Sequence, residues 1–165
     1  MTLDELFERH HKSLFRFVSR MTSDPDFAKD IVQETFLTIA REGRSEPPSR
    51  AWLFQLARNL ARSGMRKRDR RLRLLRGGSH RVPGPAPTTL PDVEAERAEA
   101  RAAVRGALER LSEKERTIVL MREEGFTHRE IADAVGTTTG SVGTMFARAL
   151  GKLEERLGET SGDES

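Results

Sequence analysis

Residues 128–142 read His-Arg-Glu-Ile-Ala-Asp-Ala-Val-Gly-Thr-Thr-Thr-Gly-Ser-Val, and no other stretch of the chain carries a clearer structural signal. It has a small residue, Ala132, where two short helices would approach closely, and Gly136 where the turn between them needs a left-handed backbone. Val142 follows where it would seat the second helix against the first. This spacing predicts a helix-turn-helix. An ordinary helical hairpin is the alternative, but random sequences seldom satisfy all three positions and the cap at Thr127.

The second helix of this motif carries the side chains that would contact nucleic acid. On its outer face they would point toward the major groove or nearby phosphates. Gly143 and Ala147 are also expected at exposed positions, so the surface is weakly polar and backbone contacts would contribute to binding. The predicted contacts, called the recognition surface below, are Thr138, Thr139, Ser141, Thr144 and Arg148.

The rest of the chain reads as helices with distinct start signals. Capping boxes at residues 2–5, 112–115 and 127–130 each place Ser or Thr three residues before Glu. An Asp-Pro pair at 24–25 starts another helix, and Ser49 can cap a further one. Aromatic residues make up only 5% of the chain, and apolar residues recur at helical spacing. We therefore expect an all-α protein with almost no sheet.

Composition divides the chain into two parts. Its 165 residues are 36% hydrophobic, which leaves little material for one large core. A stretch rich in Gly and Pro near the middle cannot sustain a helix. We expect two small helical domains at 1–75 and 93–158, a flexible linker at 76–92, and a short disordered acidic tail at 159–165.

Several functional classes are not expected. The chain has no cysteine, which excludes disulfides and thiolate zinc sites. It has no apolar run of the roughly 20 residues that a membrane span needs and no secretory signal, so we expect a cytoplasmic protein without a membrane contact. No nucleophile elbow, phosphate loop or catalytic triad is present, so we expect neither an enzyme nor a cofactor. His10, His11 and His128 are interpreted as structural or surface residues.

Positive charge is concentrated in one segment. Between Arg62 and Arg81 there are nine basic residues and one acid, Asp69, whereas the whole chain has a net charge of only +3. Such a density repels itself unless a polyanion is present, which favours nucleic acid over a solvated basic helix end. Trp52, just before this segment, could stack on a base, but we favour a place in the core.

The second predicted helix has an acidic face. Asp26, Asp30, Gln33, Glu34 and Leu37 lie opposite its apolar stripe. Carboxylates at this spacing could hold a metal, but no further ligand lies nearby in the sequence, so a metal site is not expected. Spacing alone leaves a solvated face and a protein-docking face equally open.

Four motifs in order resemble one family. They are Asp-Ile-Val-Gln-Glu-Thr-Phe-Leu at 30–37, Ala-Trp-Leu-Phe-Gln-Leu-Ala-Arg-Asn-Leu-Ala at 51–61, Leu-Ser-Glu-Lys-Glu-Arg at 111–116, and the helix-turn-helix. With these motifs the chain resembles the extracytoplasmic-function (ECF) sigma factors of the sigma-70 family over nearly its whole length. The resemblance implies a region 2 domain at 1–75 and a region 4 domain at 93–158.

The resemblance implies binding surfaces and no chemistry of the chain's own. A docking surface would bind the clamp helices of the largest subunit of RNA polymerase, and a basic segment would bind and help open the minus-ten element. The recognition surface would read the minus-thirty-five element. Contact with the polymerase flap and an anti-sigma partner are also implied. The docking surface comprises Asp30, Gln33, Glu34 and Leu37, and the basic segment comprises Arg58, Asn59, Arg62, Arg66, Lys67 and Arg68.

The chain departs from the family pattern at three positions. Ser63 stands where family members often carry an acid, and Gly143 and Met145 stand where they often carry basic residues. We therefore expect a different promoter preference and a weaker minus-thirty-five contact. Two other functions stay open: a stand-alone helix-turn-helix regulator that binds operator DNA, and a helical adaptor that binds only protein. The docking surface distinguishes a sigma factor from an operator-binding regulator, because a simple operator binder has no need of it.

Overall fold

The protein is built from helices. The computed structural model describes residues 2–76 and 92–162, and these two ranges contain seven α-helices and no strand. The expected all-α class is confirmed. No helix in the described ranges is long and apolar enough to cross a membrane. The first domain comprises α1 (Leu3–Thr22), α2 (Pro25–Glu42) and α3 (Arg50–Arg76), and the second comprises α4 (Asp92–Glu109), α5 (Glu113–Glu123), α6 (His128–Val135) and α7 (Thr139–Gly162).

The helices begin where the predicted caps lie. In all three predicted capping boxes, the cap side chain accepts a hydrogen bond from the third helical N–H, and the glutamate there accepts one from the cap N–H. The other two predicted caps also accept a backbone N–H bond, each at 3.1 Å. Each cap satisfies a donor that the helix leaves unpaired, which stabilises the helix by about 1 kcal/mol. The five capping residues are Thr2, Asp24, Ser49, Ser112 and Thr127.

Helices α6 and α7 form the predicted helix-turn-helix. Ala132 and Val142 are buried at 3% and 0% exposure, as the close approach of the two helices requires. Gly136 ends α6 in a left-handed conformation at φ 72°, which a side chain would disfavour. All three positions of the motif are therefore confirmed.

Some boundaries differ from the predicted ones. Arg76 and Asp92, the two ends of the predicted linker at 76–92, are helical, and residues 77–91 lie outside the described residues. Helix α7 runs to Gly162, so the first part of the tail predicted at 159–165 has helical backbone. No proline interrupts the sequence after residue 139, and a helix already formed continues at little cost.

The two domains pack directly against each other. Helix α1 contacts α5, and α3 contacts α6. The buried rings of Phe54 in α3 and Phe126 before α6 lie 4.9 Å apart in an edge-to-face arrangement. Phe17 in α1 lies 5.1 Å from Phe54, so one hydrophobic cluster runs through both domains. The sequence predicted two domains joined by a linker, and it contained no indication of this contact.

Candidate protein and nucleic-acid interfaces

The docking surface lies on the outer side of α2. Asp30 and Gln33 are exposed, and Leu37 is 49% exposed although it is apolar. The Glu34 carboxylate is partly exposed, and its Oε1 accepts a hydrogen bond from Arg41 Nη1 at 3.2 Å. The opposite side of α2 is buried in the first domain. The structure therefore brings the four predicted residues together on one accessible face that combines carboxylates with an exposed leucine.

Metal binding has no support on this face. Within residues 2–76 and 92–162, no group of three or more His, Asp or Glu side chains is arranged to hold a metal ion. Leu37 lies exposed among polar side chains, an arrangement in which a protein contact could bury apolar area inside a polar rim.

Part of the basic segment is accessible on α3. Asn59, Arg66 and Lys67 are exposed. Arg66 Nε donates to the Arg62 carbonyl oxygen at 3.4 Å, which is a long and weak bond. These side chains are free to approach a polyanion, and the attraction would depend on salt because counterions are released on binding.

Arg68 has a structural partner in the first domain. Its guanidinium forms an ion pair with the carboxylate of Asp24, the cap of α2. The same guanidinium lies over the Phe27 ring, with its Cζ 5.8 Å from the ring centroid. The hydrogen bond from Arg68 lowers the pKa of Asp24. A DNA contact by Arg68 would therefore exchange this carboxylate for a phosphate.

Arg58 is buried between the two domains. Only 5% of it is exposed, whereas a DNA contact requires an accessible guanidinium. Its Nε and Nη2 donate to Oε1 and Oε2 of Glu113, each at 2.8 Å. Its Nη1 donates to the carbonyl oxygen of Ala134 in α6 at 3.1 Å, and Nε also donates to Thr117 Oγ1 at 3.1 Å. In this conformation Arg58 joins α3 to α5 and α6, and its predicted DNA contact stays a prediction.

The same carboxylate also attracts Arg62. Arg62 Nε lies 3.6 Å from Glu113 Oε2, and Arg62 is partly buried. Burial raises the pKa of Glu113, but the hydrogen bond and charge of Arg58 lower it by more, so this pKa lies below its ordinary value. The sequence marks Glu113 only as the first residue of a capped helix, and sequence reasoning missed its pairing with the first domain.

A second acid of the second domain, Glu124, holds the first domain in the same way. Its two carboxylate oxygens accept bonds from Arg16 Nε and Nη2 at 2.7 and 2.8 Å, and Arg50 Nη2 lies 3.5 Å away. The Arg50 guanidinium also stacks on the buried aromatic pair, with its Cζ 5.0 Å from the Phe54 centroid and 4.3 Å from the Phe126 centroid. The interface thus pairs cations of the first domain with acids of the second.

The recognition surface lies at the start of α7. Thr139, Thr144 and Arg148 are exposed, as predicted. Thr138 has a structural role that the prediction did not include, because its Oγ1 accepts the backbone N–H of Ser141 at 3.2 Å and so caps α7. Thr138 Oγ1 also donates to Ser141 Oγ at 2.9 Å. Thr138 is nevertheless exposed, and Ser141 is the one predicted residue of this surface that is partly buried.

Gly143 differs from its expected exposure, whereas Met145 and Trp52 pack against the core as expected. The predicted exposure of Gly143 is wrong: it is partly buried, and a Cβ at this position would lie 3.9 Å from the ring of His128 in α6. Met145, also unusual for the family, packs against the core from a partly buried position. Trp52 likewise packs at the edge of the core, where the Arg44 Cζ lies 4.0 Å from its ring centroid. A Cβ at Gly143 would thus be in ordinary van der Waals contact with His128.

His10 and His11 in α1 take part in local packing. His11 stacks on Phe7 with ring centroids 4.5 Å apart, and its Nδ1 lies 2.7 Å from the Phe7 carbonyl oxygen. His10 is partly buried, and burial, together with the nearby charges of Arg50 and Arg9, lowers its pKa.

Comparison with known families agrees with this arrangement. A family model described as Sigma-70 region 2 matches residues 6–71, and one described as Sigma-70, region 4 matches residues 101–153. The three-helix first domain and the helix-turn-helix of the second thus define a transcription initiation factor of the sigma-70 class.

Related proteins identify the group within the sigma-70 class to which the chain belongs. The ECF RNA polymerase sigma factor SigL of Mycobacterium tuberculosis is 31% identical over 163 residues, which cover 94% of this chain and 90% of SigL. The RNA polymerase sigma factor CarQ of Myxococcus xanthus is 31% identical over 160 residues, which cover 94% of this chain and 89% of CarQ. The chain belongs to the ECF RNA polymerase sigma factors.

Solved structures share the fold. The sigma factor RpoE in complex with the anti-sigma factor NepR, from Bartonella quintana, matches with a TM-score of 0.71 and 26% identity, covering 93% of this chain and 95% of RpoE. CnrH in complex with the cytosolic domain of CnrY matches with a TM-score of 0.69 and 23% identity, covering 95% of this chain and 88% of CnrH. The latter match supports the fold alone.

Proposed function

We propose that this sigma factor binds core RNA polymerase through the docking surface of α2 and directs it to promoters that it contacts through α3 and α7. The observation that carries this proposal is the exposed face of α2, where Asp30, Gln33 and Leu37 are accessible within a region 2 domain. A stand-alone operator-binding regulator has no use for such a face. The largest-subunit clamp helices are the proposed partner of this face, and the polymerase flap is the proposed partner of the second domain.

The proposed DNA contacts divide between the two domains. The exposed residues Asn59, Arg66 and Lys67 contact the minus-ten element, and the other members of the basic segment join them once their intramolecular partners release them. The exposed residues Thr139 and Arg148, with their neighbours on the recognition surface, contact the minus-thirty-five element. When the duplex opens, base stacking is lost. Binding of the unstacked bases and contacts with phosphates compensate for this loss and so assist promoter melting.

The chain's own work in this scheme is binding, and the chemistry of RNA synthesis stays with the polymerase. The factor acts in the cytoplasm, where the bacterial polymerase and chromosome lie. An anti-sigma factor is a further proposed partner. The match to RpoE, whose structure contains the anti-sigma factor NepR, supports this proposal.

Co-elution with core polymerase tests the docking surface. The purified chain is mixed with core polymerase at low salt and separated by size-exclusion chromatography. We expect the wild type to co-elute and the double variant Asp30→Arg, Glu34→Arg to elute alone, because reversed charges oppose docking. The double variant Asp4→Arg, Glu8→Arg reverses the same number of charges at exposed positions of α1, outside the surfaces proposed to contact polymerase, and should still co-elute. Full binding by the α2 variant would contradict the assigned face.

Run-off transcription tests the function as a whole. Core polymerase with the wild-type chain should produce a defined transcript from the promoter upstream of the chain's own gene, and core polymerase alone should not. A chain that binds this DNA without polymerase and never supports a transcript would instead be an operator-binding regulator.

A further inference from the structure

We propose that Glu113 is an internal competitor of DNA: by binding Arg58 and Arg62 it keeps the free chain closed, and contact of these two arginines with promoter DNA requires this pairing to break. The inference rests on the proposed function, since it assumes that the basic segment contacts DNA. It concerns a regulatory contact between the two domains of the chain itself.

The geometry of Arg58 leaves no site for a phosphate. Both edges of its guanidinium are used, because Nε and Nη2 bind Glu113 while Nη1 binds the Ala134 carbonyl. A carboxylate that receives two parallel N–H bonds occupies the same fork of donors that a phosphate would use. With only 5% of Arg58 exposed, DNA cannot reach this fork while the domains are closed. Carboxylate and phosphate are therefore alternative ligands of one guanidinium.

The position of the second domain adds a steric obstacle. Ala134 lies in α6, the first helix of the helix-turn-helix, and its carbonyl contacts a side chain of α3. Helix α6 thus packs on the helix that carries the basic segment. Release of Arg58 and access of DNA to this side of α3 are consequently the same event.

The closed contact can be weakened without damage to either domain. Glu113 is one-third exposed in its side chain and belongs to the surface of α5, outside the buried core of the second domain. The apolar centre of the interface is the separate pair Phe54 and Phe126. Glu124 forms the other acid contact, and its main partner Arg16 lies outside the basic segment. A substitution at Glu113 weakens the closed contact and also removes a partner of Arg58, whereas a substitution at Glu124 weakens the contact only. Comparing the two therefore separates the effect of closure from a direct effect on Arg58.

The distance between the domains can be measured directly. The chain has no cysteine, so cysteines introduced at the exposed positions Glu8 in α1 and Glu154 in α7 would be the only sites for spin labels. Glu113→Gln removes the charge while keeping an acceptor for Arg58. The matched control is Glu115→Gln, which removes one negative charge from the same helix. The Glu115 carboxylate pairs with Lys152 inside the second domain, and glutamine can replace glutamate in the capping box.

We expect the free wild-type chain to have a narrow distance distribution and Glu113→Gln to add a population at longer distances. The affinity of the free Glu113→Gln chain for a promoter fragment with an unpaired minus-ten strand should rise about tenfold, within the usual range of coupling between sites. Glu124→Gln should act in the same direction, and Glu115→Gln should behave as the wild type. Circular dichroism should give the same helix content for all variants.

The proposal is overturned if Glu113→Gln keeps the wild-type distance distribution, whether or not Glu124→Gln changes it. It is also overturned if the domains open and the affinity for the promoter fragment does not rise. Failure of the proposed function has a different signature: the wild-type chain would not co-elute with core polymerase, while the distance distributions would still respond to the variants.

Discussion

The guanidinium of Arg58 and the carboxylate of Glu113 meet through two hydrogen bonds of 2.8 Å, although the residues are 55 positions apart in the sequence. Arg58 is a residue that the family resemblance assigns to DNA, and here it joins two domains. A buried guanidinium is stable only when its donors are satisfied, and Arg58 meets this condition with a carboxylate, a hydroxyl and a carbonyl oxygen.

This pair should be energetically coupled. A double-mutant cycle with Arg58→Ala and Glu113→Ala should give a coupling free energy of about 1–3 kcal/mol in urea unfolding, because each single variant leaves a partly buried charge without its partner. The exposed pair Arg41 and Glu34 is the control, and its cycle should give about 0.5 kcal/mol or less. Equal coupling in the two cycles would contradict the structural role of Arg58.

Acid should weaken the same contact. Because folding lowers the pKa of Glu113, its carboxylate stabilises the folded protein fully above the ordinary value of about 4.3, and this stabilisation is lost as the pH falls through the lower folded value. We expect the difference in unfolding free energy between wild type and Glu113→Gln to be constant from pH 7 to about 5 and to shrink toward pH 3. The contributions of the other carboxylates to the unfolding free energy are the same in both proteins and cancel in this difference. A difference that grows toward acid would have the wrong sign.

Phe126 should contribute strongly to stability through the interface. It is 2% exposed and packs edge-to-face on Phe54 of the other domain. Phe126→Ala should lower the free energy of unfolding by about 3–5 kcal/mol, because it removes a buried ring and leaves a cavity. Phe15→Ala, at a side chain that is 36% exposed, should lower it by about 1 kcal/mol or less. Thermal and urea unfolding measure the stability of both variants. Similar losses of unfolding free energy in the two would mean that Phe126 is not buried in solution.

Gly64 should resist substitution although it lies inside a helix. A Cβ at this position would be 2.7 Å from Phe27 Cζ, a clash with a rigid ring. Gly64→Ala should therefore lower the free energy of unfolding by about 1–2 kcal/mol, since strain exceeds the gain in helix propensity. Gly106 in α4 has open space around it, and Gly106→Ala should raise the free energy of unfolding by about 0.5–1 kcal/mol. The same sign for both alanines in urea unfolding would refute the packing at Phe27.

Salt dependence should identify the phosphate contacts of the basic segment. Neutralising Arg66 and Lys67 to Gln should lower the slope of log affinity against log salt by about 1.4–1.8, that is, about 0.7–0.9 per phosphate. Adding Arg68→Gln should change the slope less than either of these, because Arg68 is already paired with Asp24. The control Arg9→Gln, Lys12→Gln removes the same charge from exposed positions of α1. An unchanged slope in the α3 variant would exclude these contacts.

Local signals predicted most of the fold. Thr127 bonds to a residue three positions away, and Gly136 takes the left-handed backbone that the turn requires, so both could be identified from neighbouring residues alone. The four docking residues on α2 also follow from the helical period, because one apolar stripe determines which side faces outward. The structural role of Thr138 was missed although it is local, since its hydroxyl can serve either as a cap or as a base contact.

The pairing of the domains could not be predicted. Arg16 and Glu124 are 108 positions apart, and neither has a neighbour in sequence that indicates the other. Periodicity and capping describe interactions within a few residues, so the amino-acid order already contained the helices, the helix-turn-helix and the outward face of α2. Which arginines bind carboxylates and which remain accessible depends on how the helices pack, because a guanidinium selects whichever anion the tertiary fold brings within hydrogen-bonding distance.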